Sequence, residues 1–279
     1  MVLMKIFASG CVALLVVAGA YGQTKAPTAG APAAGAAKAA PKAAASSPKS
    51  DAPISGTVVF KGTPPRSRTI AMDSEPTCAS KHTGPVHSED VIVNANGTLK
   101  NVFIYVKAGL EGKMFPAPAT PVTLAQDGCL YAPHIFGIMP GQELQVLNND
   151  ATTHNVHALA EVNDEFNVGQ RAGAKPIVKT FAKPELTVPI VCNQHPWMKA
   201  VAHVVANPYY AVTGSDGSFE LKGLPPGKYT IEAIHEKYGA SRQQVTVEAG
   251  KNTPITFTFT AGQAYVQPSL QRVATLFIP

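Results

Sequence analysis

The stretch "VCNQHPWMKA", residues 191–200, decides how this chain is read. Within seven positions it sets a thiol (Cys192), an imidazole (His195) and a thioether (Met198). Pro196 and the chain's single tryptophan, Trp197, stand between the last two. Each of these has an ordinary structural use when taken singly: methionine fills gaps in cores and tryptophan packs. Taken jointly, three donors of this softness in one loop point to a bound metal ion.

Working outward, the loop lies between strand patterns. "TVPIVCNQHPWMKAVAHVV" (187–205) reads as a strand, the donor-rich loop and a second strand. "MPGQELQVLNNDATTHNVHA" (139–158) places a glycine turn, a strand and a polar loop ahead of His154, which lies 38 residues before Cys192. A β-sandwich brings two such loops together at one end. The rest of the chain from Ile54 onward is punctuated in the same way. "ISGTVVFKG", "NVFIYVKAG", "SFELKG", "KYTIEAI", "QQVTVEAG" and "PITFTFT" are short apolar or alternating runs bounded by Gly, Pro, Asn or Asp. Such spacing predicts an all-β protein of sandwiches, and roughly 210 residues of it predict two modules.

The candidate ligands are therefore His154, Cys192, His195 and Met198. Two imidazoles and a thiolate in a trigonal set, with a weak thioether, describe a mononuclear type 1 (blue) copper site. Thiolate suits Cu(I) and imidazole suits both oxidation states. Zinc is the chemical rival, since Cys/His clusters bind it well. Against zinc, Met198 has no use to it. His154 and His157 would also face opposite sides of a strand, so they would not serve one ion together. His157 and His203 read as exposed or packed strand residues, His134 as a loop residue, His82 and His87 as members of a polar loop, and His235 as the end of a strand.

With these residues in view, 121–206 resembles the cupredoxins, the amicyanin- and plastocyanin-like type 1 copper proteins. The loop is closest to the amicyanin type, Cys-x2-His-x2-Met with Pro after His, and the upstream "HNVH" resembles the segment whose first histidine is the remote ligand. The resemblance implies a Greek-key β-sandwich holding one copper ion, with electrons passed to redox protein partners. It also implies a solvent-facing edge on His195 as the electron exit, with Pro196 and Trp197 beside it as an apolar docking patch. One departure stands out: "KPELTVPIVC" carries two prolines and no aromatic, which predicts an irregular strand. A second resemblance covers 209–262. "GSDGSFELKGLPPGKYTIEAIHEKYG", with turns at Asp216-Gly217 and Pro225-Pro226-Gly227, is similar to the carboxypeptidase regulatory-like (transthyretin-like) β-sandwich. Such domains act as rigid supports or binding modules, so a cell-envelope or glycan contact through this sandwich enters as an alternative. "ISGTVVFKGTPP" resembles the opening strand of the same kind of domain. Residues 53–120 are thus either a separate β segment or part of a discontinuous sandwich with 209–262.

The ends of the chain fix the expected compartment. "MVLMKIFASGCVALLVVAGAYGQ" has an early lysine, an apolar run and small residues near Ala18 and Ala20, which predicts a secretory signal over 1–22. The Ala/Pro/Lys-rich tract 23–52 has nothing to bury and reads as a flexible linker. The tail 263–279 carries no readable pattern. The expected location is periplasmic or secreted, with no transmembrane segment after the signal. Four cysteines become three once Cys11 is removed with the signal. With Cys192 as ligand, Cys78 and Cys129 are left to pair. The formal charge of +5 is largely terminal: residues 1–52 hold five lysines against Asp51, leaving +1 for the remainder. There is no basic patch interleaved with aromatics, which excludes nucleic acid as a partner. No nucleophile-elbow pattern is present, so the sequence predicts a non-enzymatic electron carrier, with a periplasmic copper carrier or a structural, glycan-binding sandwich as alternatives.

Overall fold

The computed structural model describes residues 53–263. The leader expected over 1–22, the linker over 23–52 and all of the tail beyond residue 263 lie outside the described residues. Among the described residues the regular secondary structure is almost wholly strand. In order these are β1 (Ile54–Lys61), β2 (Thr69–Ile70), α1 (Pro76–Ala79), β3 (Val86–His87), β4 (Phe103–Ala108), β5 (Val122–Asp127), β6 (Leu130–Ala132), β7 (Ile135–Ile138), β8 (Glu143–Asn148), β9 (His154–Ala158), β10 (Phe166–Gln170), β11 (Ile177–Thr180), β12 (Glu185–Val191), β13 (Lys199–Val204), β14 (Tyr210–Val212), β15 (Ser218–Leu221), β16 (Gly227–His235), β17 (Gly239–Val247) and β18 (Thr253–Thr260).

All strands but β2 and β3, which pair with each other in a separate two-stranded sheet, form two sandwiches. In the first, a five-stranded sheet β10-β9-β12-β13-β7 faces a four-stranded sheet β11-β8-β5-β6. Their inner side chains, among them Leu124, Leu144, Val146, Val156, Ile190 and Ala202, share one buried cluster that also holds Cys192 and Met198. In the second, β15-β1-β18 faces β14-β4-β16-β17. β1 runs parallel to β18 over its whole length and antiparallel to β15, and β4 pairs with β14 and β16. Strands from either side of the first sandwich in sequence therefore interleave in the second. Its core is supplied by alternating inward residues such as Val58, Phe60, Phe257 and Phe259.

A third, smaller cluster joins the two. Phe103 and Tyr105 on β4 and Ile234 on β16 pack with Ile135 on β7 and Val201 on β13. Phe103 stacks on His203 with centroids 4.2 Å apart and planes 3° from parallel. Gly137 permits this approach: a Cβ there would fall 2.5 Å from the Tyr210 ring and 2.8 Å from Phe103. His203 reads from sequence as exposed or packed, and the fold makes it packed. Burial depresses its pKa to about 3, so it sits as a neutral ring.

The proline-bearing strand is irregular, as its composition predicts. β12 has a register shift between Glu185 and Val188, and Thr187 takes φ of 58°. Pro189 lies opposite Val201 on one side, and on the other β12 pairs with β9 at Ile190 and Val191. Just past β9 the Pro189 carbonyl accepts from the Leu159 amide at 2.9 Å, and the proline, having no N–H, returns no bond there. The segment then straightens into the loop at 192–198, which is how an irregular strand still delivers Cys192 to one end of the sandwich.

Candidate metal centre

The turn between β5 and β6 provides the floor of the site. Gly128 and Cys129 both have positive φ, 61° and 54°, as a two-residue hairpin turn requires. A side chain at Gly128 would collide with the His82 ring, 2.8 Å from the Cβ position. Cys129 is bonded to Cys78 on α1, the pairing expected from the cysteine count. Cys192 is the free cysteine among the described residues. The disulfide spans 51 positions and fixes the surface segment around α1 onto the first sandwich.

Against this floor three of the four predicted ligands converge. His154 opens β9, Cys192 follows β12, and His195 lies in the loop between β12 and β13. One donor atom from each falls within 4.8 Å of the others, and all three residues are buried. His154 Nδ1 lies 3.0 Å from His195 Nδ1, and Cys192 Sγ lies 3.7 Å from His195 Nδ1. Met198 is fully buried in the same core cluster as Cys192. The loop is held from within: the Met198 amide donates to the His195 carbonyl at 2.8 Å, and the Cys192 amide donates to the Met198 carbonyl at 3.3 Å.

The distances fit a metal. With metal–nitrogen and metal–thiolate bonds of about 2.0 and 2.3 Å, the two separations subtend about 97° and about 119° at a common centre. Tautomers favour the same reading. Asp150 Oδ2 lies 2.9 Å from His154 Nε2, so that nitrogen donates to the carboxylate and Nδ1 is the nitrogen turned toward His195. Burial, and then the neighbouring His154, hold the His195 pKa below its usual value, which favours a neutral His195 ring able to donate a lone pair.

Several residues that the sequence reading did not single out complete the site. Asp150 also accepts from the Gly128 and Cys129 amides, both at 2.8 Å. Those amides counter its burial and hold its carboxyl below the ordinary range. An acidic residue four positions before a candidate ligand histidine was the available signal. Asn155 accepts from the Asn193 amide at 2.8 Å and lies 3.4 Å from Cys192 Sγ, which ties β9 to the loop. The Tyr131 hydroxyl donates to the Asn155 carbonyl at 2.5 Å and lies 3.2 Å from that of Val191. Burial, reinforced by Cys192, raises its pKa well above that of a free phenol, so it remains a donor.

One expectation is corrected. The solvent-facing edge of His195 is absent: the residue is only 2% exposed. The Cys78 and Cys129 sulfurs lie within 4.8 Å of a His195 nitrogen, and the Trp197 ring is centred 5.2 Å away. Trp197 is itself half-buried and donates its indole N–H to the Cys129 carbonyl at 3.0 Å, while Pro196 is exposed. The disulfide segment, which no cysteine count could place, covers the imidazole. The other histidines are drawn elsewhere. His157 faces away from His154 and lies 2.8 Å from Glu165 and 3.1 Å from Asn193, and His82 bonds the Gly128 carbonyl at 2.7 Å.

With this geometry in hand, comparison with known proteins gives three findings. The family model of the carboxypeptidase regulatory-like domain matches residues 200–260. No curated protein matches the chain. Among solved structures the chain is similar to a copper-containing nitrite reductase from Thermus scotoductus SA-01, at 22% identity over 37% of this chain and 25% of that one, with a TM-score of 0.30. It is also similar to amicyanin from Paracoccus versutus, at 20% identity over 37% of this chain and 97% of that one, TM-score 0.28. A purple cupredoxin from Nitrosopumilus maritimus aligns at 19% identity over 30% of this chain and 99% of that one, TM-score 0.26. At such scores these are likenesses only.

Proposed function

We propose that the first sandwich, 121–206, is an electron-carrying module with a type 1 copper site. His154 Nδ1, His195 Nδ1 and Cys192 Sγ would hold the ion, and Met198 would be its weak axial donor. The observation that carries the reading is the meeting of two buried imidazoles and one free, buried thiol within 4.8 Å of one another. When bound, copper supplies one-electron chemistry between Cu(II) and Cu(I). The residues around it would keep the donors still: Asp150 fixes the His154 tautomer, Asn155 ties the loop to β9, and Tyr131 bridges β9 and β12. Rigid donors that suit neither oxidation state fully keep the reorganisation small when an electron passes. No substrate bond is made or broken in this reading.

The second sandwich, formed by β1, β4 and β14 to β18, would act as the support of that module. The compartment proposed is periplasmic or secreted, where the Cys78–Cys129 disulfide is at home. Among the described residues no helix is long and apolar enough to cross a membrane. Because His195 is covered, the docking patch proposed for a redox protein partner is the exposed Pro196 with the half-buried Trp197 and the disulfide segment beside them.

The deciding experiment is the visible spectrum of the Cu(II)-loaded protein. Thiolate-to-copper charge transfer should give strong absorption, and Cys192→Ser should abolish it. A colourless Cu(II) form of the intact chain overturns the reading and favours zinc. A copper carrier is the second reading, favoured by the same soft donors. It predicts rapid loss of copper to a chelator, whereas the buried, doubly tied loop predicts retention.

A further inference from the structure

His134 stands between β6 and β7 at the seam of the two sandwiches, outside the set of donors and their immediate partners. Its ring is buried. Nδ1 lies 3.0 Å from the Lys199 carbonyl oxygen, and Nε2 lies 3.0 Å from Glu236 Oε1. Lys199 directly follows Met198 and opens β13, while Glu236 sits in the turn between β16 and β17 of the second sandwich. A carbonyl and a carboxylate can only accept, so both ring nitrogens must carry protons. Burial opposes that charge, but the Glu236 carboxylate and its hydrogen bond outweigh it and raise the pKa to about 9. The His134 carbonyl also accepts from the Val201 amide at 2.8 Å, so the residue grips β13 on both sides of Ala200.

The other charged groups around the ring come from three directions. Glu89, Asp90, Arg68 and His87 line the same small cavity from the segment around β2 and β3, and Lys199 lines it from β13. His235, next to Glu236, is kept neutral, its pKa lowered to about 3 by burial and then by the charge on His134 and on Lys237. Glu236 is the carboxylate in contact with the ring, and Arg68 is engaged by Asp90 at 3.5 Å.

We propose that His134 is a positioning residue for the metal centre, with Glu236 as its anchor. The imidazolium ties the second sandwich to the Lys199 carbonyl and so fixes the backbone on which Met198 leaves the loop. This rests on the reading of His154, Cys192, His195 and Met198 as the metal set. A weak axial donor tunes a site through small changes in its approach, and partners outside the ligand shell set that approach. The second sandwich would thereby gain a role beyond support, because it would hold the backbone beside Met198.

The test is the midpoint potential of the copper-loaded protein followed across pH by voltammetry, in the wild type, Glu236→Gln and His134→Gln. The wild-type potential should be level through neutral pH and step near pH 9 as His134 loses its proton. In Glu236→Gln the step should move to lower pH by about one unit or more. In His134→Gln, which keeps a donor for the Lys199 carbonyl without a titratable ring, the step should vanish. Nitrogen NMR of the metal-free protein gives a second readout: both His134 ring nitrogens should be protonated at neutral pH. Superimposable curves for wild type and Glu236→Gln, or a singly protonated His134 at neutral pH, overturn the inference while leaving a blue protein blue. A protein that never turns blue removes the centre itself and this inference with it.

Discussion

Asp150 Oδ2 lies 2.9 Å from His154 Nε2, on the far side of the ring from the Nδ1 that faces His195 at 3.0 Å. The same carboxylate is held by the amides of the Gly128–Cys129 turn. One buried acid therefore sets a tautomer, a ring orientation and the place of the disulfide at once. Asp150→Asn keeps the size and loses the charge. Copper affinity, measured by competition with a chelator, should fall about 10- to 100-fold, while the thiolate absorption survives. An unchanged affinity would show that the His154 ring is oriented by packing alone.

Met198 and His195 should separate cleanly. Met198→Leu should keep copper bound and raise the potential, because a thioether favours Cu(II) modestly and an alkyl group does not. His195→Ala removes a strong donor from the trigonal set, so binding and electron exchange should both fail. Voltammetry with a metal titration reads the two variants. Loss of copper from Met198→Leu, with His195→Ala retaining its spectrum, reverses the assignment.

The disulfide should act on stability and on access. Replacing Cys78 and Cys129 by alanine opens a loop of 51 positions. In the chain-entropy account that costs about 4 kcal/mol, read from urea unfolding. The sulfurs also cover His195. Exchange with a small inorganic redox couple should therefore speed up in the double variant. A lower unfolding midpoint with an unchanged exchange rate would mean that Trp197 alone shields the imidazole.

Stability should peak near pH 6.5, with a histidine origin on both sides. His134 has a folded pKa of about 9, above its unfolded value near 6.5. Its contribution is whole below pH 6.5 and is lost as pH rises through 9. His203 and His235 are held at about 3. As pH falls from 6.5 the unfolded chain takes up protons that the folded one refuses, so stability drops toward acid. Between about pH 5 and 6.5 the carboxylates barely titrate, which isolates the histidine effect. His203→Asn should flatten that acid limb in urea midpoints; an acid limb identical to the wild type would assign the loss to other groups.

The meeting of His154, Cys192 and His195 was legible because the candidate residues are compact in sequence. Cys192, His195 and Met198 share one loop, and His154 follows a recognisable strand and polar loop. The irregularity of β12 was legible from its two prolines, and the Gly217 turn from its Asp-Gly pair, since only backbone rules are involved. Asp150, Asn155 and Tyr131 were much less visible. Their roles depend on which strand end lies beside which, and polar residues of those types occur in every loop.

The sequence by itself determined the all-β class, the candidate loop that brings Cys192 and His195 together, the free thiol and the disulfide that the remaining cysteines make. Donor chemistry and strand alternation are properties of residue type and spacing, and both can be counted along the chain. Only the tertiary structure decided that β1 and β4 pair with strands more than 100 residues away, that the disulfide segment lies over His195, and that His134 spans from Glu236 to the Lys199 carbonyl. Those are relations between segments distant in sequence. They arise because each sandwich must bury its own apolar faces, and burial, unlike spacing, is settled only when the faces meet.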